Sequence, residues 1–482
     1  MKKINIAKLG NWLNSWVGAN GEIRGFHNHS VWGDNPYRYG DFTSGHTTFA
    51  SPFIPALSYG YLKKQDNRVL ELIKKLIKFQ TNSFQENGFF AHIGFQVGEK
   101  LKHGLIHNVV PDVALSESAL ILKDILDEDT LKEIDLALRK NFDGTNKVYF
   151  EGPTTNLNGL TQSCCNQDYC RLWARLLHMK AFNHNDWDEL VYNGLNFMIE
   201  YFHINGIPEN DCSATSRIIS DKNFLEPAEY YGLMINPLIL GYERYNEKRF
   251  LEEALKLANH IIKSSWVDKN NCKRFHRNYI KRQGKYVCVK EPMLIGGMGI
   301  TLSSIYRLNN ILKKEEINEY LNDIDRTYSF YQSESGFFLA GTGWYKECDI
   351  IPSTAWQSHD FYYLMNKYDV DDNFWNEFFT DDEKFSVVLG INCYWIENKK
   401  HWALKGYYAQ WDANIIGRKD EDVFYYDIPE WIEGKSSYPE SYKIIDEPKF
   451  YRSDYDYHYF TGSDNFILSK LPELNYCGKL EI

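Results

Sequence analysis

The stretch TTFASPFIPALSYGYLKK (47–64), followed at once by RVLELIKKLIKFQTNSF (68–84), shows the pattern that the rest of the chain repeats. Its first segment has small, apolar and aromatic residues on all sides of a helix, whereas its second has Lys and Glu along one face. A helix that is apolar all round is buried, and a helix with one charged face lies at the surface. Because the link is short, the two helices must run antiparallel. The stretch therefore predicts a hairpin of one inner and one outer helix.

Five more hairpins of this kind follow along the chain. The six pairs begin near residues 46, 112, 162, 225, 294 and 354, and a repeat of roughly 50 to 70 residues is typical of stacked helical pairs. Six pairs that close on themselves form an (α/α)6 toroid, in which the inner helices are buried and the outer helices have one wet face. An open solenoid of helical pairs has the same periodicity and stays open as an alternative.

The pattern changes after residue 383. The segments KFSVVLGINCYWIE (384–397), HWALKGYYAQWD (401–412) and DVFYYDI (422–428) are rich in aromatic residues and separated by polar turns, as strands are. We therefore divide the chain into a toroid catalytic domain (1–383) and a β-rich C-terminal appendage (384–482). The predicted fold class is mainly α, an (α/α)6 toroid of six helical hairpins with a small C-terminal β-rich region.

Composition and charge exclude several classes of partner. The net charge is −11 and no dense basic run occurs, which argues against nucleic acid and against anionic membrane surfaces. No run of apolar residues is long enough to cross a membrane. Aromatic residues make up 16% of the chain. This content fits either an AT-rich genome or a cleft whose rings stack on the flat apolar faces of sugars.

The N-terminus and the cysteines indicate a cytoplasmic protein. The segment MKKINIAKLGNWLNSW (1–16) is interrupted by Asn and Lys, so it predicts an amphipathic helix rather than a signal peptide. The nine cysteines are odd in number and lack paired CxxC spacing, as in reduced proteins. No phosphate, dinucleotide or HExxH motif occurs, and His27 and His29 have no identifiable third ligand, so we expect neither cofactor nor metal. The sequence does not indicate an oligomeric state.

The candidate site residues lie in the segments that join one hairpin to the next, because these segments meet at one end of a toroid. The candidate catalytic residues are His107, Asp112, Asp168, Tyr230, His359 and Asp360. The candidate substrate-binding residues are Asn108, Asn156, Asn158, Arg217, Trp344, Tyr345 and Trp356. We expect His107, Asp112, Asn156, Asp168, Arg217, Tyr230 and His359 to converge on one cleft.

The residue types suit acid/base chemistry on a hydroxylated substrate, although each has a structural alternative. Asp112 follows Pro111 at the predicted first turn of an inner helix, where it either caps the helix or acts as an acid or base. His359 beside Asp360 forms a second acid/base candidate, although such pairs also occur in cores. Arg217 either clamps a substrate carboxylate or forms an ion pair within its own loop.

This architecture resembles the (α/α)6 toroid enzymes of carbohydrate metabolism, which include unsaturated glucuronyl hydrolases, N-acylglucosamine 2-epimerases, and polysaccharide lyases similar to heparinases and alginate lyases. The resemblance covers residues 1–383 as a pattern. The glucuronyl hydrolases use aspartates at the starts of inner helices, and this implies catalytic roles for Asp112 and Asp168. The lyases neutralise a uronate carboxylate with Asn or Arg and move the proton with Tyr or His. The roles implied here fall on Asn156, Arg217, Tyr230 and His107.

Three functions follow as hypotheses. The first is a glycoside hydrolase that acts on short, uronate-containing oligosaccharides with two carboxyl groups as acid and base. The second is a polysaccharide lyase that cleaves a uronate-containing glycan by β-elimination. The third is a helical-repeat binding protein without catalysis, although such binders have a tighter repeat consensus. An oligosaccharide is the expected partner in the first two.

A short element, Gly-Phe-Phe, occurs twice. It is found in NGFFAHIGF (87–95) after the first outer helix and in SGFFLAGTGW (335–344) after the fifth. We interpret the glycine as the residue that ends the helix and the phenylalanines as a plug at the edge of the ring. The element is thus predicted to be scaffold that delivers the following residues to the mouth of the toroid.

Overall fold

The architecture comes from a computed structural model. It describes residues 3–14, 50–90, 105–149, 165–204, 226–267, 271–276, 296–332 and 354–380, together with 17, 21, 23, 25–26, 42–43, 207–208, 279–282, 285–288, 292–293, 336, 338, 393–396, 401–404, 424–427 and 443–444.

Helices dominate the part of the chain that is described. In chain order they are α1 (Ile6–Asn14), α2 (Phe53–Lys63), α3 (Asn67–Asn82), α4 (Ile106–Leu122), α5 (Glu128–Tyr149), α6 (Cys165–Phe182), α7 (Asp188–Phe202), α8 (Tyr231–Tyr245), α9 (Lys248–Ser264), α10 (Gly299–Leu312), α11 (Glu315–Tyr331), α12 (Thr354–Lys367) and α13 (Phe374–Phe378). A short 3-10 turn, Ala228–Tyr230, leads into α8.

The even-numbered helices from α2 to α12 form a closed inner ring. Each of them packs against the next one in chain order, and the last, α12, packs against the first, α2. Closure rules out the open solenoid and confirms the predicted (α/α)6 toroid. The inner helices are buried over most of their surface, whereas α3 and α9 bury one stripe and leave the other to solvent, as amphipathic outer helices do.

The outer ring closes through the N-terminus of the chain. Helices α3, α5, α7, α9 and α11 each pack on the inner helix that precedes them, while α1 packs on α12 and on the five-residue α13. The sequence pattern assigned the outer position of the sixth pair to the segment around α13 alone. The N-terminal helix joins it there because α13 by itself is too short to cover α12. The side-chain amide of Asn5 donates to Glu377 and that of Asn11 donates to the carbonyl of Phe378.

The start of α4 differs from the prediction. The sequence pattern placed this start at Asp112, with Pro111 in the first turn, but the helix begins at Ile106 and both residues lie inside it. A proline inside a helix removes one backbone hydrogen bond. Burial of α4 against α2, α5 and α6 outweighs that local loss, and Asp112 is therefore not a helix cap.

The Gly-Phe-Phe element is part of a turn that occurs three times. Isolated antiparallel bridges close a loop after α1, α3 and α11, and each bridge joins residues six positions apart: Val17↔Ile23, Phe84↔Phe90 and Gln332↔Phe338. Two residues before the end of each loop stands a glycine with positive φ: Gly21 (97°), Gly88 (84°) and Gly336 (97°). The glycine therefore shapes this turn rather than ending the helix. The repeated Gly-Phe-Phe element is therefore part of the scaffold, and the third copy of the turn, around Gly21, lacks the phenylalanines.

Each of these glycines lies against the backbone of another outer helix. A Cβ atom added to Gly88 would lie 2.8 Å from the carbonyl oxygen of Lys140 in α5, and one added to Gly336 would lie 2.6 Å from the carbonyl carbon of Lys8 in α1. Contacts this short admit no side chain. The three turns therefore set how closely successive outer helices approach.

Replacing Gly88 by alanine is expected to lower the free energy of unfolding by about 2 kcal/mol, because the new side chain has to adopt positive φ and to displace α5. Asn246 is the matched control because it also has a positive φ, 56°, but lies exposed at the C-cap of α8. Its replacement therefore tests the backbone conformation without a close approach to another helix. Asn246→Ala is expected to lose only about 1 kcal/mol. Urea denaturation measures both, and equal losses would contradict the role of the close approach.

The strands in the described part of the chain are short, with two to four residues each. They are β1 (Gly25–Phe26), β2 (Phe42–Thr43), β3 (His203–Ile204), β4 (Ile207–Pro208), β5 (Trp266–Val267), β6 (Lys273–His276), β7 (Tyr279–Arg282), β8 (Lys285–Cys288), β9 (Pro292–Met293), β10 (Cys393–Ile396), β11 (His401–Leu404), β12 (Phe424–Asp427) and β13 (Lys443–Ile444). The last four form an antiparallel sheet in chain order, in the region predicted to be β-rich. In the described residues, no helix is long and apolar enough to cross a membrane.

Candidate active site

A small pocket, with a cavity volume of about 10 Å³, lies in the centre of the inner ring. All six inner helices, with the residue that precedes α2, contribute to its wall: Pro52, Pro55, Val110, Val113, Ala114, Glu117, Cys170, Trp173, Leu233, Ile300 and Tyr362. The wall is mostly apolar with two aromatic rings.

A buried polar network closes the bottom of this pocket. Glu117 accepts hydrogen bonds from the Tyr59 hydroxyl (2.7 Å) and the Tyr362 hydroxyl (2.7 Å), and it forms an ion pair with Arg307. Arg307 also donates to the Tyr59 hydroxyl (2.8 Å) and to the Asn236 side chain (3.2 Å). These residues come from α2, α4, α8, α10 and α12. We call this set, Tyr59, Glu117, Asn236, Arg307 and Tyr362, the floor.

At the opposite end of the pocket lie residues that the sequence predicted for the site. His107 stands seven residues, or two helical turns, before the pocket residue Ala114, and His359 stands three residues before Tyr362. Both histidines therefore lie on the pocket side of their helices, towards the helix starts. Tyr230 lies next to Trp356 with 6.4 Å between ring centres, and Trp356 meets the His359 ring edge-on at 5.3 Å. The three rings form one cluster from two different hairpins.

Both histidines are largely buried, with exposed fractions of 5% for His107 and 2% for His359. An imidazole can act as a general acid or base, so both residues suit proton transfer. Asn166 begins α6 at the same end, where Glu226 holds it. His107, Tyr230, Trp356 and His359 thus form the candidate mouth of the pocket, and we use that name for these four residues.

The start of one inner helix is repeatedly bound by a side chain of the next hairpin. The carboxylate of Glu226 accepts from the backbone N–H of Asn166 in α6 (3.1 Å) and from its amide. The Thr301 hydroxyl of α10 accepts from the N–H of Gly232 in α8 (2.9 Å). This arrangement satisfies backbone donors that a helix start leaves without partners, and it locks neighbouring inner helices in register.

Asp360 binds the start of α10 in the same way. Its Oδ2 accepts from the backbone N–H of Gly297 (2.8 Å), and its Oδ1 accepts from the hydroxyl of Tyr328 (2.6 Å) on the outer helix α11. Burial raises the pKa of Asp360 to about 8, although the Tyr328 and backbone hydrogen bonds oppose this rise. Its oxygens face the outer layer and not the pocket. The catalytic role predicted for Asp360 therefore finds no support, and the adjacent His359 and Asp360 point in different directions.

Asp112 points to a different side of α4 from the pocket residue Val110, although its charge acts on the wall residue Cys170. It is two residues beyond Val110, which turns it about 200° around α4, and it is fully buried beside Arg171 and Arg175 of α6. Burial raises the pKa of Asp112 well above its usual range, and the charges of Arg175 and Arg171 act against that rise. The arginines both donate to the Asn146 side chain of α5. This charge cluster joins inner and outer layers, and the catalytic role predicted for Asp112 stays a prediction.

Asp168 is fully buried in the first turn of α6, and its charge acts on Arg171 of the same cluster. It therefore belongs with Asp112 and not with the mouth. Of the residues expected to converge, Tyr230 and His359 both pack against Trp356, and the convergence of the full set stays a prediction.

Asn108 serves the scaffold. Its side-chain oxygen accepts from the N–H of Phe90 (2.9 Å) and from the Asn141 amide of α5 (2.8 Å). Gln357 binds the backbone of Phe338 in the corresponding way, so both Gly-Phe-Phe turns are fastened to the start of the next inner helix. These bonds give Asn108 a structural role, and the substrate-binding role predicted for it stays a prediction.

Five predicted substrate-binding residues lie outside the described residues: Asn156, Asn158, Arg217, Trp344 and Tyr345. Their roles stay predictions. Within the described residues, no group of three or more His, Cys, Asp and Glu side chains is arranged to hold a metal ion.

The floor was missed by sequence analysis. A signal was present, because Glu117 interrupts the apolar segment DVALSESALIL (112–122) and Arg307 interrupts GITLSSIYRLNNIL (299–312). A charged residue in the middle of an inner helix is buried and needs a partner. The partner lies 190 residues away, and this distance is why the pairing was not foreseen.

Comparison with known proteins places the fold. No protein-family model matches the sequence, and no curated protein is significantly similar to it. Solved structures do match. D-mannose isomerase has a TM-score of 0.52 at 13% identity, with 75% of this chain and 96% of the isomerase covered. Cellobiose 2-epimerase from Bacillus thermoamylovorans has a TM-score of 0.51 at 12% identity, with 75% and 99% covered.

A third similar structure is a hydrolase. An inactive variant of the GH76A α-1,6-mannanase of Salegentibacter, in complex with α-1,6-mannotetrose, has a TM-score of 0.50 at 14% identity, with 75% of this chain and 97% of the mannanase covered. These proteins are (α/α)6 toroid enzymes of carbohydrate metabolism. At such low identity the likeness concerns the fold, which spans about three quarters of the chain. The class defined by the fold is therefore the (α/α)6 toroid.

Proposed function

We propose that this protein is an enzyme that acts on a saccharide at the end of the inner ring where the inner helices begin. The observation that carries the proposal is the cluster of Tyr230, Trp356 and His359 at the starts of two inner helices, with the buried His107 near the start of a third. Tyr230 supplies an aromatic ring there, and such rings stack on the apolar faces of pyranoses. The toroid enzymes of similar fold, which include an isomerase, an epimerase and a mannanase, support a sugar substrate.

The side chains at the mouth favour proton transfer as the chemistry. A neutral imidazole, from His107 or His359, would take the proton from the carbon next to the carbonyl of an open-chain sugar. The imidazolium so formed would return its proton to the neighbouring carbon, while a proton passes from the hydroxyl oxygen to the former carbonyl oxygen. Alternatively, the second histidine, in its protonated form, would deliver a proton to the opposite face of the same carbon. The first outcome is isomerisation and the second is epimerisation. Neither needs water or a cofactor, and the sugar's atoms are conserved.

Hydrolysis of a glycosidic bond is the second candidate. The candidate acid is Glu226, whose carboxyl binds the start of α6. Burial raises the pKa of this carboxyl to about 7, and the charge of Glu229 adds to the rise. An acid with a pKa near neutrality can protonate a leaving oxygen. The carboxyl is fully buried and bound by Asn166 in this conformation, so it would have to be uncovered by substrate. The uronate substrate and the two-aspartate mechanism predicted from the sequence stay predictions.

One experiment separates these reactions. The protein is incubated with mannose, glucose, cellobiose, α-1,6-linked mannose oligosaccharides and uronate-containing oligosaccharides in deuterated water. Deuterium incorporation at the carbon beside the carbonyl, with a new sugar isomer, is expected for the proposed proton transfer. New reducing ends without deuterium at that carbon would indicate hydrolysis, and a rise of ultraviolet absorbance would indicate elimination. No change with any of the sugars would contradict the proposed function.

A further inference from the structure

We infer that the start of α10, the segment GGMGIT (296–301), is a positioning element for the mouth. The inference rests on the proposed function and deepens it, because it says which residues hold the proton-transferring His359 and the rings around it in place. The segment contributes none of the four mouth residues. It belongs to the helix that packs between α8 and α12, and the starts of these two helices supply three of the four.

On one side the segment is fitted to the first turns of α12. The backbone N–H of Gly297 donates to Oδ2 of Asp360 (2.8 Å), and Asp360 is the chain neighbour of His359. A Cβ atom added to Gly297 would lie 3.1–3.3 Å from three atoms of the Trp356 indole, so this glycine is packed against that ring. A Cβ atom added to Gly299 would lie 1.8 Å from the carbonyl oxygen of His359. The segment therefore fixes both the ring of Trp356 and the backbone that carries the imidazole.

On the other side the segment holds the turn that carries Tyr230. The Thr301 hydroxyl donates to the carbonyl oxygens of Ala228 (2.9 Å) and Glu229 (3.0 Å), and it accepts from the backbone N–H of Gly232 (2.9 Å). These three backbone groups flank Tyr230 in the chain. One hydroxyl therefore fastens the 3-10 turn and the first turn of α8 to α10 at the place where the Tyr230 ring branches off.

The segment can act on a substrate only through the side chains that it holds. All six of its residues are buried, and Gly297 has φ of 98°, a conformation that glycine adopts readily and other residues do not. The rings that it holds are in contact, with 6.4 Å between Tyr230 and Trp356 and 5.3 Å between Trp356 and His359. A misplacement of about 1 Å in a catalytic arrangement can cost roughly 10²-fold in rate. The segment therefore sets the position from which His359 transfers its proton.

Two variants loosen the element from its two sides. Gly297→Ala places a methyl group against the Trp356 ring, and Thr301→Val keeps the shape of the side chain but removes its hydroxyl. We expect each variant to lower kcat by at least about tenfold on the sugar that reacts, because the proton-transferring group is misplaced. Thr301→Ser restores the hydroxyl, and its kcat is expected to stay within about threefold of the native value. Circular dichroism checks that the variants are folded, and if Gly297→Ala does not fold, Thr301→Val decides by itself.

Matched controls separate misplacement from loss of stability. Gly21→Ala meets the same backbone strain as Gly297→Ala, because Gly21 has φ of 97° and its added Cβ would lie 2.5 Å from the carbonyl oxygen of Lys75 in α3. Thr145→Val removes a buried hydroxyl whose hydrogen bonds stay within the outer helix α5. Native kcat is expected for both controls, although both lose stability.

Nuclear magnetic resonance follows the same rearrangement without a substrate. The signals observed are the indole N–H of Trp356 and the Cε1–H of His359, which are assigned by their loss in Trp356→Phe and His359→Gln. Because each group lies beside another aromatic ring, its chemical shift changes when the rings move. We expect both signals to shift in Gly297→Ala and the Trp356 signal to shift in Thr301→Val, while neither shifts in the two controls.

The outcomes distinguish this inference from the proposed function. Native kcat or unshifted signals in Gly297→Ala and Thr301→Val would overturn the positioning role, and so would equal effects in the controls. If the native protein reacts with no sugar of the panel above, the proposed function is wrong, and with it the catalytic part of this inference. Shifted signals would in that case still support the segment as the element that holds the ring cluster.

Discussion

Asp360→Ala is expected to lower the free energy of unfolding by about 3 kcal/mol or more, since it leaves two buried donors without an acceptor. These donors are the backbone N–H of Gly297 and the hydroxyl of Tyr328, both bound by Asp360 in the native protein. Asp360→Asn is expected to lose only about 1 kcal/mol, because the amide can accept from the N–H and donate to the hydroxyl oxygen. Urea denaturation followed by circular dichroism measures both losses.

The same carboxyl makes a pH prediction. Its pKa is raised in the folded protein from 3.8 to about 8. Between these two pH values the folded state therefore retains a proton that the unfolded state has lost, so the contribution of Asp360 to stability falls as the pH rises through this window. Above about pH 8 the contribution no longer changes. Asp360→Asn should remove this slope.

Asp124→Asn is the matched control, since Asp124 is exposed between α4 and α5. Its replacement should leave both the stability and its pH dependence as in the native protein. If Asp360→Asn had the same pH slope as the native protein, the carboxyl would not be the group that takes up the proton.

His359→Gln and His107→Gln are expected to lower kcat/KM by about 10² to 10⁴-fold each on the sugar that the panel identifies, as the loss of a general acid or base does. Glutamine keeps a polar group of similar size but cannot exchange a proton near neutral pH. The expectation rests on the position of both side chains on the pocket side of α4 and α12. Steady-state kinetics with each variant provide the measurement.

The pH–rate profile separates catalysis from mere structure. If each imidazole transfers a proton, each variant should lose one limb of the profile, whereas a packing defect would lower the rate equally at all pH values. His184→Gln is the control histidine, because it lies between α6 and α7, beyond the far end of α6, and its kinetics should be unchanged. Normal activity in both mouth variants would remove the histidines from the mechanism.

The sequence was sufficient for the toroid because its information is local. Each hairpin shows an apolar helix followed by an amphipathic one, and a helix's pattern of buried faces depends on residues only three or four positions apart. The positions of His107, Tyr230, Trp356 and His359 near the starts of inner helices followed from the same pattern. The C-terminal strands were also visible as aromatic segments between polar turns.

Direction around a helix axis was harder to predict than position along it. Asp112 and Asp360 lie near helix starts, as predicted, but a shift of two residues turns a side chain by about 200°. Asp112 lies beside Arg171 and Arg175 of the inner helix α6, and Asp360 binds Gly297 and the Tyr328 hydroxyl of the outer helix α11. For Asp112 the early start of α4, at Ile106, added to this error. If the helix had begun at Asp112, as predicted, this residue would lie at the rim of the ring.

What the sequence by itself determined is the number of hairpins and the inner or outer place of most helices. Only the tertiary structure decided how the ring closes and what fills it. Helix α1 joins α12 across nearly the whole chain, and Glu117 pairs with Arg307 across 190 residues. Such contacts depend on the closure of six hairpins into a ring, and closure brings together residues whose local sequence contains no record of each other.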